Sequence, residues 1–402
     1  MSAELTAAQV RERMRWARRR GNPAWLWPDT PIEAWRAAQQ RIASATAAVL
    51  AGVRGTLDGD AAAIGLAGYI SGMGPLLGWW RQQGLVDAPS DVAAMLDRHL
   101  DHNRRRMTLL ETAARASVAM FRQHGVRVVM LKGLHTAFDH FPDPATRPAS
   151  DVDLLVAQDD AIVAAGMLAA QGFLPAGRGA FESNWRPADG AEAPRTLDLL
   201  HADDPWSIDL HHSLDLFVSP GSPVARLDIA GPMAGAACWR PDPAAGVLEQ
   251  PLLLLHLAVH AGSGLQSLTL LRLVELVLVI RKDAPSWDEF IALADRTGSL
   301  GYAWPALETC EKLAPGTVPG WILSRAASAA PRRARSIVAR LTPAEAQRVD
   351  RNSLAEHFMW THGAGGWVRQ LGSDLIPASS WRRVREIYAI RSWQMLRGRV
   401  SR

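Results

Sequence analysis

The chain has 402 residues, 48% hydrophobic and 21% charged, a composition typical of a globular protein with two or three domains. Its two cysteines, Cys238 and Cys310, lie far apart and match no metal-ligand spacing, which excludes a zinc ribbon or a disulfide scaffold and indicates a reducing compartment. The N-terminal residues contain no apolar signal-peptide segment, and the most apolar run, 251–280, is interrupted by charged, histidine and glycine residues. We therefore expect a cytoplasmic protein without a membrane span.

The net charge of +4 is unevenly distributed. Six arginines and two glutamates give residues 1–24 a charge of +4, and seven arginines and one glutamate give residues 378–402 a charge of +6, so the remainder carries −6. The basic ends either bind phosphate-bearing partners or form solvated helix faces, and the second interpretation is favoured. A nucleic-acid partner is accordingly disfavoured but left open.

The first part of the chain, residues 1–125, has the pattern of a helical region. It consists of alanine-rich stretches in which apolar residues recur at spacings of three and four. This periodicity predicts helices over 31–53, 61–83 and 90–124.

The pattern changes at residue 126, where short apolar and β-branched runs replace the helical periodicity. Residues 126–220 are therefore expected to form a small α/β unit. Its predicted elements are strands at 126–131 and 151–157, short helices at 134–140 and 159–171, and an antiparallel hairpin of 196–201 and 206–212. The proline-rich segment 141–150 is expected to be irregular.

From about residue 245 the helical pattern returns and continues to the basic tail. Helices are predicted over 247–261, 268–282, 287–297, 303–313, 319–330, 332–341 and 342–349, with a basic amphipathic helix over 380–399. The chain is thus expected to divide into an N-terminal helical region at 1–125, an α/β core at 126–220 and a C-terminal helical region with a basic tail at 221–402.

The sharpest chemical feature is the pair Asp151 and Asp153 on the second predicted strand. Residues i and i+2 of a strand point to the same face, so both carboxylates project together while Val152 and Leu154 face the core. Two carboxylates this close raise each other's pKa unless a cation lies between them, and a hard divalent ion would remove the repulsion. An exposed pair without a metal is the alternative, because such pairs are common at strand ends.

Asp209 repeats this pattern on another predicted strand. Ile208 and Leu210 would face inward, leaving Asp209 and His211 on the opposite face. Three carboxylates on adjacent strands can hold two metal ions about 3.5–4 Å apart, the arrangement used for in-line displacement at phosphorus. His211 is then a candidate hydrogen-bond partner of the metal ligands. Asp198 is the alternative third carboxylate.

Several motifs together resemble an uncharacterised nucleotidyltransferase family of bacteria. They are VMLKG at 129–133, FPD at 141–143, Arg147-Pro148, DVDLLV at 151–156, AAQGF at 169–173, IDLH at 208–211 and the helical segment 255–261. The resemblance covers about 126–300. It implies an α+β fold in which a small mixed nucleotidyltransferase-like sheet with flanking helices lies between two helical regions.

The resemblance also implies roles for individual residues. Asp151 and Asp153 would hold the metal that binds a nucleoside triphosphate, and Asp209 would bridge to a second metal and help to activate the acceptor. The Gly-Ser pair with which the wider superfamily meets the triphosphate is here Lys132-Gly133. Lys132 either supplies a charge to the triphosphate or only flanks a buried strand, and Gly133 permits close approach of the backbone to phosphate.

Two further groups have alternative interpretations. Arg147 either contacts phosphate or holds the proline-rich loop by pairing with Asp143 or Asp151. His256 and His260 lie four apart on an apolar helix without the glutamate of a zinc protease motif, so we interpret them as hydrogen-bonded core histidines.

Together, the carboxylates and the resemblance predict an enzyme that uses Mg²⁺ or Mn²⁺ to transfer a nucleotidyl or phosphoryl group from a nucleoside triphosphate, with ATP as the default donor. Members of the family often occur beside genes for natural-product and modified-peptide biosynthesis, which implies a small-molecule or peptide acceptor. Two alternatives stay open. A non-catalytic nucleotide- or partner-binding module is favoured by the changed Gly-Ser element, and a metal-dependent phosphohydrolase is disfavoured by the dispersed histidines.

Overall fold

The computed structural model describes residues 6–20, 26–219, 222–347, 356 and 358–375. Helices surround one seven-stranded mixed sheet, so the predicted α+β class is confirmed. The N-terminal elements are α1 (Ala7–Arg20), α2 (Ile32–Leu50), β1 (Gly55–Thr56), α3 (Ala61–Ser71), α4 (Gly74–Gln82), β2 (Val86–Asp87) and α5 (Ser90–Gln123). Strands β1 and β2 form a separate small parallel pair.

The helix predicted over 61–83 is two helices. Gly72 has φ +75°, a left-handed conformation that ends α3, and α4 continues at a bend of 116°. Within the described residues no single helix is long and apolar enough to cross a membrane, although α3 and α4 taken together as a bent pair would pass by length and composition.

The central sheet takes five strands from the predicted α/β unit and two from the segment that follows it, which was predicted to belong to the C-terminal helical region. Its elements, with the helices between them, are β3 (Val128–Met130), α6 (Lys132–Asp139), β4 (Asp151–Val156), α7 (Ala161–Ala170), β5 (Phe173–Arg178), β6 (Glu182–Pro187), β7 (Ser207–His211), β8 (Cys238–Trp239) and β9 (Asp242–Val247). The strand order is β5-β6-β7-β4-β3-β9-β8. Strands β4 and β7 are parallel, as are β3 and β9, whereas the other neighbours are antiparallel.

The predicted hairpin of 196–201 with 206–212 is wrong. The antiparallel neighbour of β7 is β6, and residues 196–201 form an irregular loop. The loop is fixed by the Asp204 carboxylate, which accepts backbone N–H groups from Arg195 at 2.7 Å and His201 at 2.9 Å. Backbone N–H groups that a strand pairing would have used are here bound by the side chain of Asp204, so the segment has no need of a strand partner.

The two faces of the sheet are covered by different parts of the chain. Val152 and Leu154 of β4, with Ile208 and Leu210 of β7, are buried against α5, α6 and α7. Leu155 points the other way and belongs to the core that the N-terminal and C-terminal helices share. The predicted inward orientation of the four apolar residues is therefore confirmed, and the aspartates lie on the opposite face.

The C-terminal helices are α8 (Leu252–Gly262), α9 (Leu270–Asp283), α10 (Trp287–Arg296), α11 (Leu300–Leu313), α12 (Gly320–Ala329), α13 (Arg332–Val338) and α14 (Gly363–Leu375). The helix predicted from residue 247 begins later because 242–247 form β9. A short 3₁₀ turn at Glu345–Gln347 lies in the segment predicted as helix 342–349. The predicted basic helix 380–399 lies outside the described residues.

Candidate metal and substrate site

Three carboxylates converge where β4 and β7 run side by side. The parallel register places Asp153 directly beside Asp209 and Asp151 beside Ser207. One oxygen atom from each of Asp151, Asp153 and Asp209 lies within 4.8 Å of the others, and these three residues are called the carboxylate cluster below. The alternative third carboxylate, Asp198, does not belong to this group.

Asp153 is the most enclosed member of the carboxylate cluster, with 1% of its surface exposed. Its Oδ1 atom lies 2.7 Å from Lys132 Nζ and 3.2 Å from His211 Nε2. Its Oδ2 atom is buried and has no hydrogen-bond partner among the described residues. A buried carboxylate oxygen without a partner is costly, and a hard divalent cation would satisfy it. The residues of the carboxylate cluster therefore fit a metal ion.

The electrostatics of the carboxylate cluster also favour a cation. Burial raises the pKa of Asp151 to about 6, and repulsion from Asp153 and Asp209 adds to the rise. Burial likewise raises the pKa of Asp209, with Asp153 as the next cause. For Asp153 burial acts in the same direction, but Lys132 and His211 outweigh it and hold the pKa well below its usual range. The cluster thus combines one ionised carboxylate with two whose charge a divalent ion would stabilise.

Strand β6 supports the carboxylate cluster from the side. Asn184 lies opposite Asp209 in the strand register, and its side-chain amide donates a hydrogen bond to Asp209 Oδ1. His211 contacts Asp153, and its other ring nitrogen, Nδ1, lies 3.3 Å from Glu182 Oε2. The sequence did not predict β6, so Asn184 and Glu182 were missed as neighbours of the carboxylates.

Lys132 and Gly133 begin α6 next to Asp153. Burial opposes the charge of Lys132, but Asp153 and Asp151 outweigh burial and raise its pKa, so the ammonium group stays charged. Gly133 has the non-helical angles φ 10° and ψ −90°. A Cβ atom at this position would lie 3.5 Å from Asp153 Oδ2 and 3.8 Å from Arg147 Nη1. Because glycine has no Cβ atom, the space beside Asp153 Oδ2, the carboxylate oxygen without a partner, stays open.

Arg147 forms a buried ion pair with Glu275 of α9. Arg147 Nε donates to Glu275 Oε1 at 2.8 Å and Nη2 donates to Oε2 at 3.2 Å, and the Thr136 hydroxyl also donates to Oε1. The predicted pairing of Arg147 with Asp143 or Asp151 is therefore wrong. Asp143 instead accepts a backbone N–H from its own turn. Two of the guanidinium N–H groups are committed to Glu275, and the direct phosphate contact of Arg147 stays a prediction.

A cleft of about 430 Å³ opens beside Asp151 and Asp153. Its charged and imidazole lining consists of Lys132, Arg147, Asp151, Asp153, His260, Arg272 and Glu275. Its apolar and aromatic lining consists of Tyr69, Ile70, Pro148, Ala149, Leu200, Leu257 and Leu271. The cleft is therefore built by the end of α3, the start of α6, the strand β4 with the loop before it, the loop before β7, and the C-terminal helices α8 and α9.

The two histidines of α8 lie close to this cleft. His256 is buried, and burial lowers its pKa to about 3. Its Nε2 atom has no hydrogen-bond partner among the described residues, so the predicted hydrogen-bonded state is wrong for this atom. The rings of His256 and His260 lie 6.1 Å apart, and only His260 lines the cleft.

Two cleft residues, Arg272 and Glu275, escaped identification as site residues. They lie far from the aspartates in sequence, and no fixed spacing links them. A signal was nevertheless present, because they are the charged residues inside the otherwise apolar run LLRLVELVLVI of α9. A charge within an apolar helix normally requires a buried partner or a functional role.

The family model described as uncharacterised nucleotidyltransferase matches residues 74–315. The match extends from the start of α4 to just beyond α11, and it includes the whole carboxylate cluster and most of the cleft lining. It confirms the resemblance drawn from the motifs and is consistent with a nucleotidyltransferase-like fold. Neither the curated proteins nor the solved structures gave a match.

Proposed function

Since the chain belongs to this family of uncharacterised nucleotidyltransferases, we propose that it transfers a nucleotidyl or phosphoryl group from a nucleoside triphosphate, with ATP as the first candidate donor. The observation that carries the proposal is the approach of Asp151, Asp153 and Asp209 to within 4.8 Å of one another. Mg²⁺ is the proposed ion, with Mn²⁺ as the alternative. Mg²⁺ prefers oxygen ligands and is usually held by one or two carboxylates together with substrate phosphates.

Each carboxylate has a proposed task. Asp151 and Asp153 would hold the ion, and the Oδ2 atom of Asp153 is available because no other described group binds it. When bound, the metal would neutralise negative charge on the phosphoryl oxygens and orient them for in-line displacement. Lys132 would keep Asp153 ionised and add positive charge beside the donor phosphates.

Asp209 is proposed to act towards the acceptor or a second ion. Asn184 donates to its Oδ1 atom, which fixes the orientation of the carboxylate and leaves Oδ2 for a ligand or a proton. The pKa of Asp209 is raised by burial and by Asp153, and a carboxylate with a raised pKa is a better proton acceptor at neutral pH. This supports the role of Asp209 in activating the acceptor.

The proposed acceptor is a small molecule or a peptide. The cleft volume of about 430 Å³ falls within the range of small-molecule sites, about 300–1,000 Å³. The apolar and aromatic part of the lining, including Tyr69, Leu200 and Leu257, would contact the acceptor or the nucleobase. The chemistry of the acceptor group is a hydroxyl, carboxyl or phosphate oxygen.

A second candidate function is nucleotide binding without turnover. It is supported by Lys132-Gly133, which occupies the position of the superfamily's Gly-Ser pair, and by the Lys132 ammonium group, which lies 2.7 Å from Asp153 Oδ1. In that case the chain would bind a metal-nucleotide complex and transmit its presence to a partner protein. The three carboxylates would then serve binding alone.

Titration calorimetry with Mg²⁺ and ATP, GTP, CTP or UTP tests the proposal. The double variant Asp151→Asn/Asp153→Asn should weaken metal-dependent nucleotide binding by about 100-fold or more, equivalent to ~3 kcal/mol. Asp159→Asn is the matched control, because Asp159 is exposed and lies just after β4, and it should bind like the wild type.

Release of pyrophosphate or nucleoside diphosphate on adding a cell extract then separates transfer from binding alone. Nucleotide binding without either product supports the second candidate function. Absence of binding and of product with every triphosphate would rule out both.

A further inference from the structure

The charged side chains around the cleft are neutralised in pairs, with two exceptions. The pairs are Lys132 with Asp153 at 2.7 Å, and Arg147 with Glu275 at 2.8 Å. Within the described part of the chain, Asp151 and Arg272 have no ion-pair partner. Asp151 belongs to the carboxylate cluster, where a metal would supply its counter-charge. Among the described residues, Arg272 is the cleft cation without an ion-pair partner, although Glu275 and the aspartates lie near enough to favour its charge.

Most of the donor capacity of Arg272 is unused. Its Nη1 atom donates to the carbonyl oxygen of Ser267 at 2.8 Å, and this is its one side-chain hydrogen bond among the described residues. A guanidinium group carries five N–H donors in a planar arrangement. Arg272 is partly buried and lines the cleft, so its remaining donors can reach a ligand there.

The position of Arg272 is unfavourable for the folded chain by itself. Burial lowers its pKa, which means that the charged form is penalised, although Glu275 and the aspartates reduce the penalty. Arg272 also lies in the first turn of α9, where the helix dipole opposes a positive charge. A partly buried cation with these penalties and no carboxylate of its own is better explained by a ligand than by stability.

We propose that Arg272 binds an oxyanion of the substrate in the cleft. The inference rests on the proposed function and deepens it, because it assigns a phosphate or carboxylate group to a particular part of the site. A guanidinium group matches such oxyanions with two parallel N–H donors. The oxyanion belongs either to the polyphosphate of the donor or to a phosphate or carboxylate group of the acceptor.

The test compares Arg272→Met with a matched variant in titration calorimetry on the full chain. Arg281→Met is the control, because Arg281 lies on α9 but is exposed and donates to the Leu50 carbonyl. Inorganic tripolyphosphate represents the donor, with and without Mg²⁺. Inorganic phosphate, added in the presence of a saturating non-hydrolysable triphosphate, represents an acceptor anion.

Arg272→Met should weaken the binding of one probe by on the order of tenfold to a hundredfold, as expected for a hydrogen bond to a charged group, and Arg281→Met should change neither. Weaker binding of tripolyphosphate would assign Arg272 to the polyphosphate of the donor. Weaker binding of inorganic phosphate alone would assign it to an anionic group of the acceptor. Arg272→Lys should retain part of the affinity, since it keeps the charge but not the two-donor geometry.

The thermal midpoint separates binding from a structural role. Because the charge of Arg272 is unfavourable in the unliganded fold, Arg272→Met should have an unchanged or higher midpoint. Unchanged affinity for both probes would overturn the inference, as would a wild type that binds neither. Tripolyphosphate binding through Arg272 without any nucleoside triphosphate binding would retain the inference and remove the proposed function, so the two failures are distinguishable.

Discussion

Single residues determine the shape of the cleft through buried charges that neutralise each other. Arg147 is 8% exposed and Glu275 is 2% exposed. Burial opposes the charge of Glu275, but Arg147 outweighs it, so the pKa of Glu275 is lowered. The pair joins the loop before β4 to α9, and both segments line the cleft. Such a pair adds little net stability, yet removing one partner leaves an uncompensated buried charge.

We therefore predict that Glu275→Leu lowers the free energy of unfolding by about 3–5 kcal/mol, since Arg147 is left buried without its partner. The double variant Arg147→Met/Glu275→Leu removes both charges and should recover most of this loss. Urea denaturation of the variants, monitored by tryptophan fluorescence, provides the free energies.

An exposed ion pair supplies the control for this prediction. Arg325 and Asp295 lie 2.8 Å apart with side chains 54% and 43% exposed. Asp295→Ala should cost less than about 1 kcal/mol, because solvent screens the pair. A double variant at Arg147 and Glu275 that is no more stable than Glu275→Leu alone would show that the buried charges are not the cause.

Among the elements, α5 fixes the starts of both strands that carry the carboxylate cluster. Arg106 of α5 is fully buried, and its guanidinium group donates five hydrogen bonds to backbone carbonyl groups. Two of these carbonyls immediately precede β4, and three belong to the loop before β7. They are those of Ala149, Ser150, His201, Asp204 and Pro205. One side chain thus sets how the two strands enter the sheet.

Arg106→Met should lower the free energy of unfolding by more than about 3 kcal/mol, because several charge-assisted hydrogen bonds are lost at once. It should also weaken Mg²⁺ binding, since the strand ends that place Asp151 and Asp209 lose their common support. Chemical denaturation gives the first quantity, and calorimetric Mg²⁺ titration of the folded variant gives the second.

Arg104→Met is the comparison for this variant on the same helix. Arg104 is exposed and pairs with Asp101 at 3.0 Å on the surface. Its replacement should change stability by less than about 1 kcal/mol and leave Mg²⁺ affinity unaltered. Equal effects of Arg104→Met and Arg106→Met would contradict the proposed role of Arg106.

The elements that sequence patterns predicted are those with a strong local signal. Helices α2 and α5 follow the spacing of their apolar residues, and β4 follows from its alternation of aspartate with valine and leucine. Strands β5 and β6 lack such a pattern, because five of the six residues of β5 are exposed, only one residue of β6 is buried, and each strand contains a proline. They form through pairing with neighbouring strands, a tertiary effect that a local pattern cannot show.

The site residues, like the elements, were predictable where a local sequence signal marked them. Asp151, Asp153 and Asp209 could be identified because strand geometry and family motifs both select them, and the structure brings them together. The apolar run around Arg272 and Glu275 marks them as unusual but does not assign them to this site, because they reach the cleft only when α9 packs against α8 and pairs with Arg147 in the loop before β4. Sequence spacing carries information within an element, whereas the charge pairing of the cleft depends on which elements meet.

The molecule as a whole assembles its cleft from segments distant in sequence. The N-terminal helices and the C-terminal helices share one core, which covers the sheet face on which the carboxylates lie. The end of α3 and the helices α8 and α9 thereby form the cleft walls. The division of the chain into three regions at 1–125, 126–220 and 221–402 stays a prediction, but the cleft lining includes residues from all three.

Global stability should depend on pH through histidines that are buried in the neutral form. Burial lowers the pKa of His99, His135 and His256 to about 3 in each case. In the unfolded chain a histidine has a pKa near 6.5. Below this pH the unfolded state binds protons that the folded state excludes, so stability present above pH 6.5 is lost as the pH falls towards 3.

His99 isolates one of these contributions. It is buried at the contact of α5 with Gly74, has no hydrogen-bond partner for Nε2 among the described residues, and lies near the charged or titrating groups Arg98 and His102. When the pH falls from 7.5 to 5.5, the free energy of unfolding of the wild type should fall by about 1.4 kcal/mol more than that of His99→Leu, because the variant lacks this buried neutral imidazole. Urea denaturation of both proteins at the two pH values measures this difference. The aspartates titrate in both proteins, so their contribution cancels in the comparison. Parallel losses in the two proteins would mean that His99 takes up its proton at the same pH in the folded and the unfolded state.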